Sequence, residues 1–163
     1  MNKLIIRSLL VLSFVIFYQA YSFAQSIDGT YVLESRVLAD GTVIKPPQIL
    51  GVYNLEAGCI NFNLAYKDNS EKTQSISFIG KYKFSSSKYH QEIFFLSIHD
   101  EIYGGDKVHD FSRKEGSSPV KIEGDKIEFS FPPQKNIIAT FEGNKLSAKR
   151  ADGSYTDIWK KVD

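Results

Sequence analysis

Three histidines and a run of carboxylates are the side chains best suited to chemistry in this chain. His99, Asp100 and Glu101 are consecutive. Asp106, His109 and Asp110 follow in the same stretch, and His90 and Glu92 stand just upstream. Imidazole and carboxylate together can hold a divalent cation, and His99-Asp100-Glu101 can supply a general acid or base at the mouth of a cavity. Spacing argues against the metal: His99 and His109 lie further apart than the ligands of short zinc motifs, and no cysteine is near. The plainer reading of both is a solvated charged loop, so no metal site and no catalytic residue is assigned. A Gly-x-Ser-x-Gly nucleophile elbow is absent. Gly104-Gly105 reads as a turn and matches neither a phosphate-cradling nor a dinucleotide fingerprint, so no cofactor is expected. Cys59 alternates with Ile60 and so faces away from Ile60, Phe62 and Leu64. It has no basic neighbour in sequence to activate it and reads as a buried or half-buried free thiol.

The aromatic residues form a clearer pattern. Tyr31, Phe62, Phe78, Tyr82, Phe94, Phe129 and Phe141 all point inward if the strands that carry them close in the expected register. They then either fill a core or line a cavity for one small ligand. Buried phenols need hydrogen-bond partners, so Tyr31, Tyr53 and Tyr82 are the groups that would orient a ligand's polar end. Tyr31, Tyr53, Phe62, Phe78, Tyr82, Phe94, Phe129 and Phe141 are therefore the candidate ligand-binding set. Asn61 and Asn63 lie on the face opposite Phe62.

The elements that must position these residues are strands. Lys126-Ile127-Glu128-Phe129-Ser130-Phe131 and Cys59–Tyr66 alternate apolar and polar residues, the mark of a strand with one buried face. Turn signals separate such runs: Glu123-Gly124-Asp125-Lys126, Glu142-Gly143-Asn144-Lys145 and Ala151-Asp152-Gly153-Ser154. These residue types tolerate the positive φ that tight hairpins require. About ten strands are expected, over 29–36, 42–44, 50–55, 59–66, 74–84, 92–98, 120–123, 126–131, 137–142, 146–150 and 155–162. Pro46-Pro47 ends the second, since proline offers no ladder donor. Gly80 marks a bend or bulge in the fifth. The segment 92–98 is the most apolar. The stretch 99–118 is the one long irregular loop, and loops of that length in compact domains are usually functional. No helix-period segment follows residue 24 apart from a possible turn near Asp100–Tyr103.

The first 24 residues have a different character. Lys3 and Arg7 precede an apolar run from Leu9 to Phe17, and Ser22 and Ala24 place small residues at −3 and −1 of a cut before Gln25. This is the layout of a secretory signal peptide, and the run is short for a bilayer span of about 20 residues. The expected organisation is a signal peptide at 1–24 and one domain at 25–163, periplasmic or secreted, with no integral membrane segment after cleavage. Loss of Lys3 and Arg7 leaves the domain near −1 in net charge. A near-neutral domain has no basic stripe for nucleic acid. A lone cysteine cannot form an internal disulfide, so stability must come from apolar burial.

A meander of this many short strands exposes two edges unless it closes. Closure abolishes them. An antiparallel up-and-down β-barrel of about 8–10 strands is the expected fold. Gly29-Thr30-Tyr31-Val32-Leu33, Asp40-Gly41-Thr42, Gly51-Val52-Tyr53, Gly80-Lys81-Tyr82, Gly143-Asn144-Lys145-Leu146 and Asp152-Gly153 with Trp159-Lys160-Lys161 run in an order that resembles small bacterial lipocalin-like domains, secreted calycin-type barrels. The resemblance covers nearly the whole of 25–163. It departs in two places: Tyr31 stands where the Gly-x-Trp opening strand carries tryptophan, and the disulfide of many secreted lipocalins is missing. It implies a calyx for a small hydrophobic molecule and supplies no catalytic residues. Two other readings remain open. One is a small-barrel cyclase, isomerase or hydrolase acting on an apolar substrate, with His90 or Glu92 as its ionisable group. The other is an envelope protein-interaction module with a filled barrel, binding a protein partner through the 99–118 loop.

Overall fold

The computed structural model describes residues 26–162, with residues 103, 106 and 134 excepted. The expected signal peptide lies outside the described residues. The chain is all-β, built from β1 (Gly29–Leu38), β2 (Val43–Ile44), β3 (Ile49–Glu56), β4 (Cys59–Lys67), β5 (Thr73–Phe84), β6 (Lys88–Asp100), β7 (Val108–Asp110), β8 (Lys114–Pro119), β9 (Lys121–Glu123), β10 (Lys126–Ser130), β11 (Ile137–Glu142), β12 (Lys145–Arg150) and β13 (Tyr155–Lys161). No helix among the described residues is long and apolar enough to cross a membrane. All thirteen strands belong to one antiparallel sheet in the order β7-β6-β5-β4-β3-β1-β13-β12-β11-β10-β9, with β2 on β1 and β8 on β6. The turns behave as their residues dictate. Gly143 joins β11 to β12 with φ of +56° at the first central position of a two-residue hairpin, a conformation glycine adopts without steric cost.

The closed barrel expected from the strand count is not what forms. The hydrogen-bonded sheet does not close. β8 pairs with β6, from Lys88 opposite Pro119 to Ile93 opposite Lys114. β9 pairs with β10, from Lys126 opposite Glu123 to Glu128 opposite Lys121. Only Val120 separates β8 from β9. The chain itself therefore bridges the two ends of the sheet by changing partner at Val120, with no register joining β6 to β10. This is a second economical way to avoid long free edges. It also corrects the expectation of an irregular 99–118 loop. That stretch contains the end of β6, β7 and most of β8, and what lies outside strands is confined to 101–107 and 111–113.

Two bulges redirect the side chains. Between Leu33 and Ser35 the β1–β13 register slips, so Glu34 is an extra residue; Leu33 opposes Trp159, and Arg36, not Ser35, next faces inward opposite Asp157. Between Ile79 and Gly80 the β5–β6 register slips, leaving Phe94 as the extra residue on β6. Ile93 and Leu96 then both face inward, while Phe95 faces out opposite Ile79. A bulge inserts one residue and so reverses the alternation beyond it.

Gly80 makes the second bulge possible. A Cβ there would lie 2.2 Å from the Glu92 carbonyl oxygen, a backbone atom with no side-chain freedom to yield. Gly80→Ala should therefore lower stability by about 1–3 kcal/mol, the usual range for overpacking. Urea denaturation checks this: a reduced midpoint at unchanged slope is expected, and an unchanged midpoint would refute the tight approach.

Candidate functional site

The inward face of the coiled sheet carries the aromatic set. At the end bearing the β3–β4 and β11–β12 turns, Ile27, Leu55, Ile60 and Leu146 are sealed from solvent. Ile27 precedes β1 and plugs this end. The Tyr31 hydroxyl donates to the Ile27 carbonyl at 3.1 Å, the Tyr82 hydroxyl donates to the Asp28 carboxylate, and Lys161 Nζ donates to the Asp28 carbonyl at 2.6 Å. The segment ahead of β1 is thus tied to β5 and β13 as well as to β1.

From this floor, rings meet across the coil. Tyr31 on β1 stands edge-on to Phe141 on β11 at 5.6 Å, and Phe141 stacks with Phe129 at the same spacing. Phe129 on β10 stacks on Tyr89 of β6 at 4.2 Å. That contact joins the two ends of the sheet by side chains where no ladder does. Higher up, buried Tyr53 stands edge-on to Phe62 at 5.4 Å and to Phe131 at 5.6 Å, and lies beside Trp159 at 6.4 Å. Phe62 and Phe78 stack at 4.9 Å. Edge-to-face and offset pairs of this kind add about 0.5–1.5 kcal/mol each beyond area burial. Towards the opposite end, near the β4–β5 and β12–β13 connections, the inward apolar residues Phe62, Tyr66, Ile76, Phe78, Leu38 and Ile137 are only partly buried. The inward face is sealed at one end and partly accessible at the other.

Polar groups on this face are few. Arg36 and Asp157 form a bidentate pair, Nε to Oδ1 at 2.6 Å and Nη2 to Oδ2 at 2.8 Å, and the guanidinium lies 4.0 Å over the Tyr155 ring. Burial works against the guanidinium charge, but the hydrogen bonds and Coulombic attraction of Asp157 outweigh it and hold its pKa above the ordinary value. The Tyr89 hydroxyl donates to Gln91 Oε1 at 2.9 Å, and Gln91 Nε2 donates to the Pro132 carbonyl at 3.3 Å. Burial raises the phenol pKa of Tyr53 and Tyr89. Burial and the Asp28 carboxylate do the same for Tyr82. All three phenols are neutral hydrogen-bonding groups. The Tyr53 and Tyr89 hydroxyls interact with each other, while Trp159 Nε1 and Ser118 Oγ are buried with no hydrogen-bond partner among the described residues.

Comparison of the chain with models of known protein families, with curated proteins and with solved structures finds no match. The site is therefore read from its own residues. Seven of the eight candidate ligand-binding residues, Tyr31, Tyr53, Phe62, Phe78, Tyr82, Phe129 and Phe141, lie in or against one core cluster. Phe94 does not, because the β6 bulge displaces it. Its ring lies between cations instead, 5.4 Å from the Arg113 guanidinium and 5.6 Å from Lys81 Nζ.

The three histidines and Glu92, singled out by type, are on the other face. His90 Nδ1 meets Ser117 Oγ at 2.9 Å, His99 Nε2 lies 3.0 Å from Glu101, and His109 Nδ1 meets Ser97 Oγ at 3.2 Å. Each histidine occupies an outward register position, opposite Lys83, Ser75 and Ser97 respectively. Glu92 also faces out and pairs with Arg113 at 3.2 Å. No group of three metal-ligating side chains is assembled among the described residues. Asn61 and Asn63 are exposed. Cys59 is exposed as well, against the expected burial, because it opens β4 beside the Ala57-Gly58 turn where no neighbour covers it.

Sequence reasoning missed Arg36, Asp157, Tyr89 and Gln91. Strict alternation from Leu33 puts Ser35 and Val37 inside and Arg36 outside. Tyr89 preceded the expected start of its strand, and Gln91 is a polar residue on an apolar face. The order Arg36…Asp157 on paired strands carried no local signal.

Proposed function

We propose that this chain is an exported lipocalin-like protein, periplasmic or secreted, that binds a small hydrophobic molecule on the inward face of its coiled sheet. The observation that carries the reading is the asymmetry of that face: one end is plugged by Ile27, and at the other Phe62, Phe78, Tyr66 and Ile76 are only partly buried. An apolar ligand covering those rings gains about 25 cal/mol per Å² removed from water, before ordering costs are subtracted. The lipocalin-like resemblance points the same way, with the chain's switch of partner at Val120 standing in for a closed ladder.

Native mass spectrometry of the protein purified gently from the exported fraction tests this. A reproducible extra mass that leaves on denaturation is expected. A clean mass that stays clean after incubation with fatty acids, isoprenoids and sterols would overturn the reading.

One observation favours a second reading, a protein-interaction module. Phe111, between β7 and β8, is 74% exposed and lies 4.9 Å from Phe95 on the outer face. An exposed phenylalanine resting on a half-buried one within the 99–118 stretch is a fitting anchor for a protein partner. The clean mass above is the outcome that would favour it.

A further inference from the structure

Each strand in the sheet order shares a ladder with the next, but where the two ends of the sheet meet there is none. There β8 and β10 lie side by side with no register between them, and side chains span the gap. Tyr89 of β6 stacks on Phe129 at 4.2 Å, and Phe131 stands edge-on to Tyr89 at 6.1 Å. Gln91 Nε2 reaches across to the Pro132 carbonyl at 3.3 Å, longer than the usual distance of about 2.9–3.0 Å for a nitrogen donor. Gly116 of β8 sits against the same proline, where a Cβ would lie 2.7 Å from Pro132 Cβ and 3.0 Å from Pro133 Cα. Pro132 belongs to the opposite wall, because the preceding Phe131 N–H donates to the Ile137 carbonyl of β11 at 2.8 Å. The seam is anchored at one end. Val120, where the chain crosses it, donates its N–H to the Ser87 carbonyl at 3.0 Å. Ser87 lies in the β5–β6 turn on the sealed side, since Tyr82 of β5 bonds Gly58 of the β3–β4 turn. β8 also carries Ser118, 2% exposed, whose Oγ has no partner among the described residues. A buried hydroxyl left unpaired destabilises the closed form.

We infer that this seam parts, pivoting at Val120, and that its opening admits a small apolar molecule to the inward face. Admission of the ligand rests on the apolar-ligand reading above; the parting of the seam does not. Two strands joined by a ladder separate only by breaking several cooperative backbone hydrogen bonds. Separating β8 from β10 breaks the Gln91–Pro132 bond and a few ring contacts, so the seam is the least stable boundary in the sheet. Opening there leaves every strand in its ladder. It uncovers Tyr89, Phe129 and Phe131, and behind Phe131 the Tyr53 ring, which lies 5.6 Å from it.

Thiol labelling under native conditions reads the opening. Cys59→Ser removes the chain's one cysteine, which is exposed, and Ser118→Cys then places a thiol on the seam. That exchange removes only an unpaired hydroxyl, so the variant should melt close to the parent. Labelling with N-ethylmaleimide is expected about 100-fold faster than global unfolding allows, and almost independent of urea below the unfolding transition, as for a local opening. Gly116→Ala wedges β8 away from Pro132 and should raise the labelling rate about ten-fold further. Gly51→Ala, which presses on Trp159 away from the seam, should not. Labelling that tracks global unfolding with its full urea dependence would overturn the inference.

The uncharged apolar dye N-phenylnaphthylamine reads admission by stopped-flow fluorescence. Gly116→Ala is expected to speed both its association and its release about ten-fold, with Kd little changed. Dye that binds parent and variant at the same rates would overturn the seam as the route of entry. Dye that binds neither, with the thiol labelled as expected, would overturn the apolar-ligand reading and the entry route with it, but not the opening.

Discussion

Asp157→Asn is expected to lower the unfolding free energy by about 3–5 kcal/mol, the cost of leaving one member of a buried ion pair without its partner. Arg36 and Asp157 are 11% and 6% exposed at their side chains. The pair makes two hydrogen bonds on strands that are direct neighbours. Asparagine keeps the shape but removes the charge and turns one acceptor into a donor facing the guanidinium. The cost comes from the stranded charge, not from the lost pair as such. Replacing both residues, Arg36→Met with Asp157→Leu, should therefore recover most of the loss. Urea denaturation of the single and double variants measures this as midpoint shifts at constant slope. A double variant as unstable as the single would mean that the pair contributes net stability. Lys121→Ala provides the contrast. The Lys121–Glu123 pair, at 2.8 Å, has both side chains more than half exposed, and water and salt screen such a pair, so its loss should leave the midpoint almost unmoved.

Trp159→Ala is the second large effect, expected at about 3–5 kcal/mol, because it removes a large buried ring and leaves a cavity in the core. Trp159 is 2% exposed and touches Tyr53 and Phe62. Across from it, Gly51 leaves room for the indole. A Cβ at 51 would lie 2.6 Å from the indole Cη2. The two positions are complementary, and a double-mutant cycle exposes the coupling. Gly51→Ala alone should destabilise by about 1–3 kcal/mol. In a Trp159→Leu background the same substitution should cost markedly less, giving an interaction energy in the range of about 0.5–3 kcal/mol seen for residues in contact. Additive effects would show that the indole and residue 51 do not compete for space.

Phe62 and Phe129 follow strict alternation on uninterrupted stretches of strand, so their face could be read from period alone. Arg36 could not. Its inward position depends on Glu34 being an extra residue opposite β13, and a bulge is a property of two strands in register. Phe94 was misplaced for the same reason on β6. The histidine–carboxylate stretch attracted attention through residue type, yet its histidines alternate onto the outer face of β6 and β7, where they meet scattered hydroxyl and carboxylate partners. β7 and β8 went unseen because Val108–Asp110 is three residues long and Lys114–Pro119 carries no apolar alternation. They are strands because β6 offers them a ladder.

By itself, then, the sequence determined the class of fold, the hairpin turns and most of the inward aromatic face, since these depend on alternation and on residues that tolerate positive φ, both local properties. Only the tertiary structure decided that the sheet stays open and is bridged by a strand changing partner at Val120. It also decided that Arg36 and Asp157 meet inside, and that the rings of Tyr53 and Trp159 lie side by side. Those outcomes depend on register and on which strands lie across the coil from one another, and neither is encoded within any one stretch of chain.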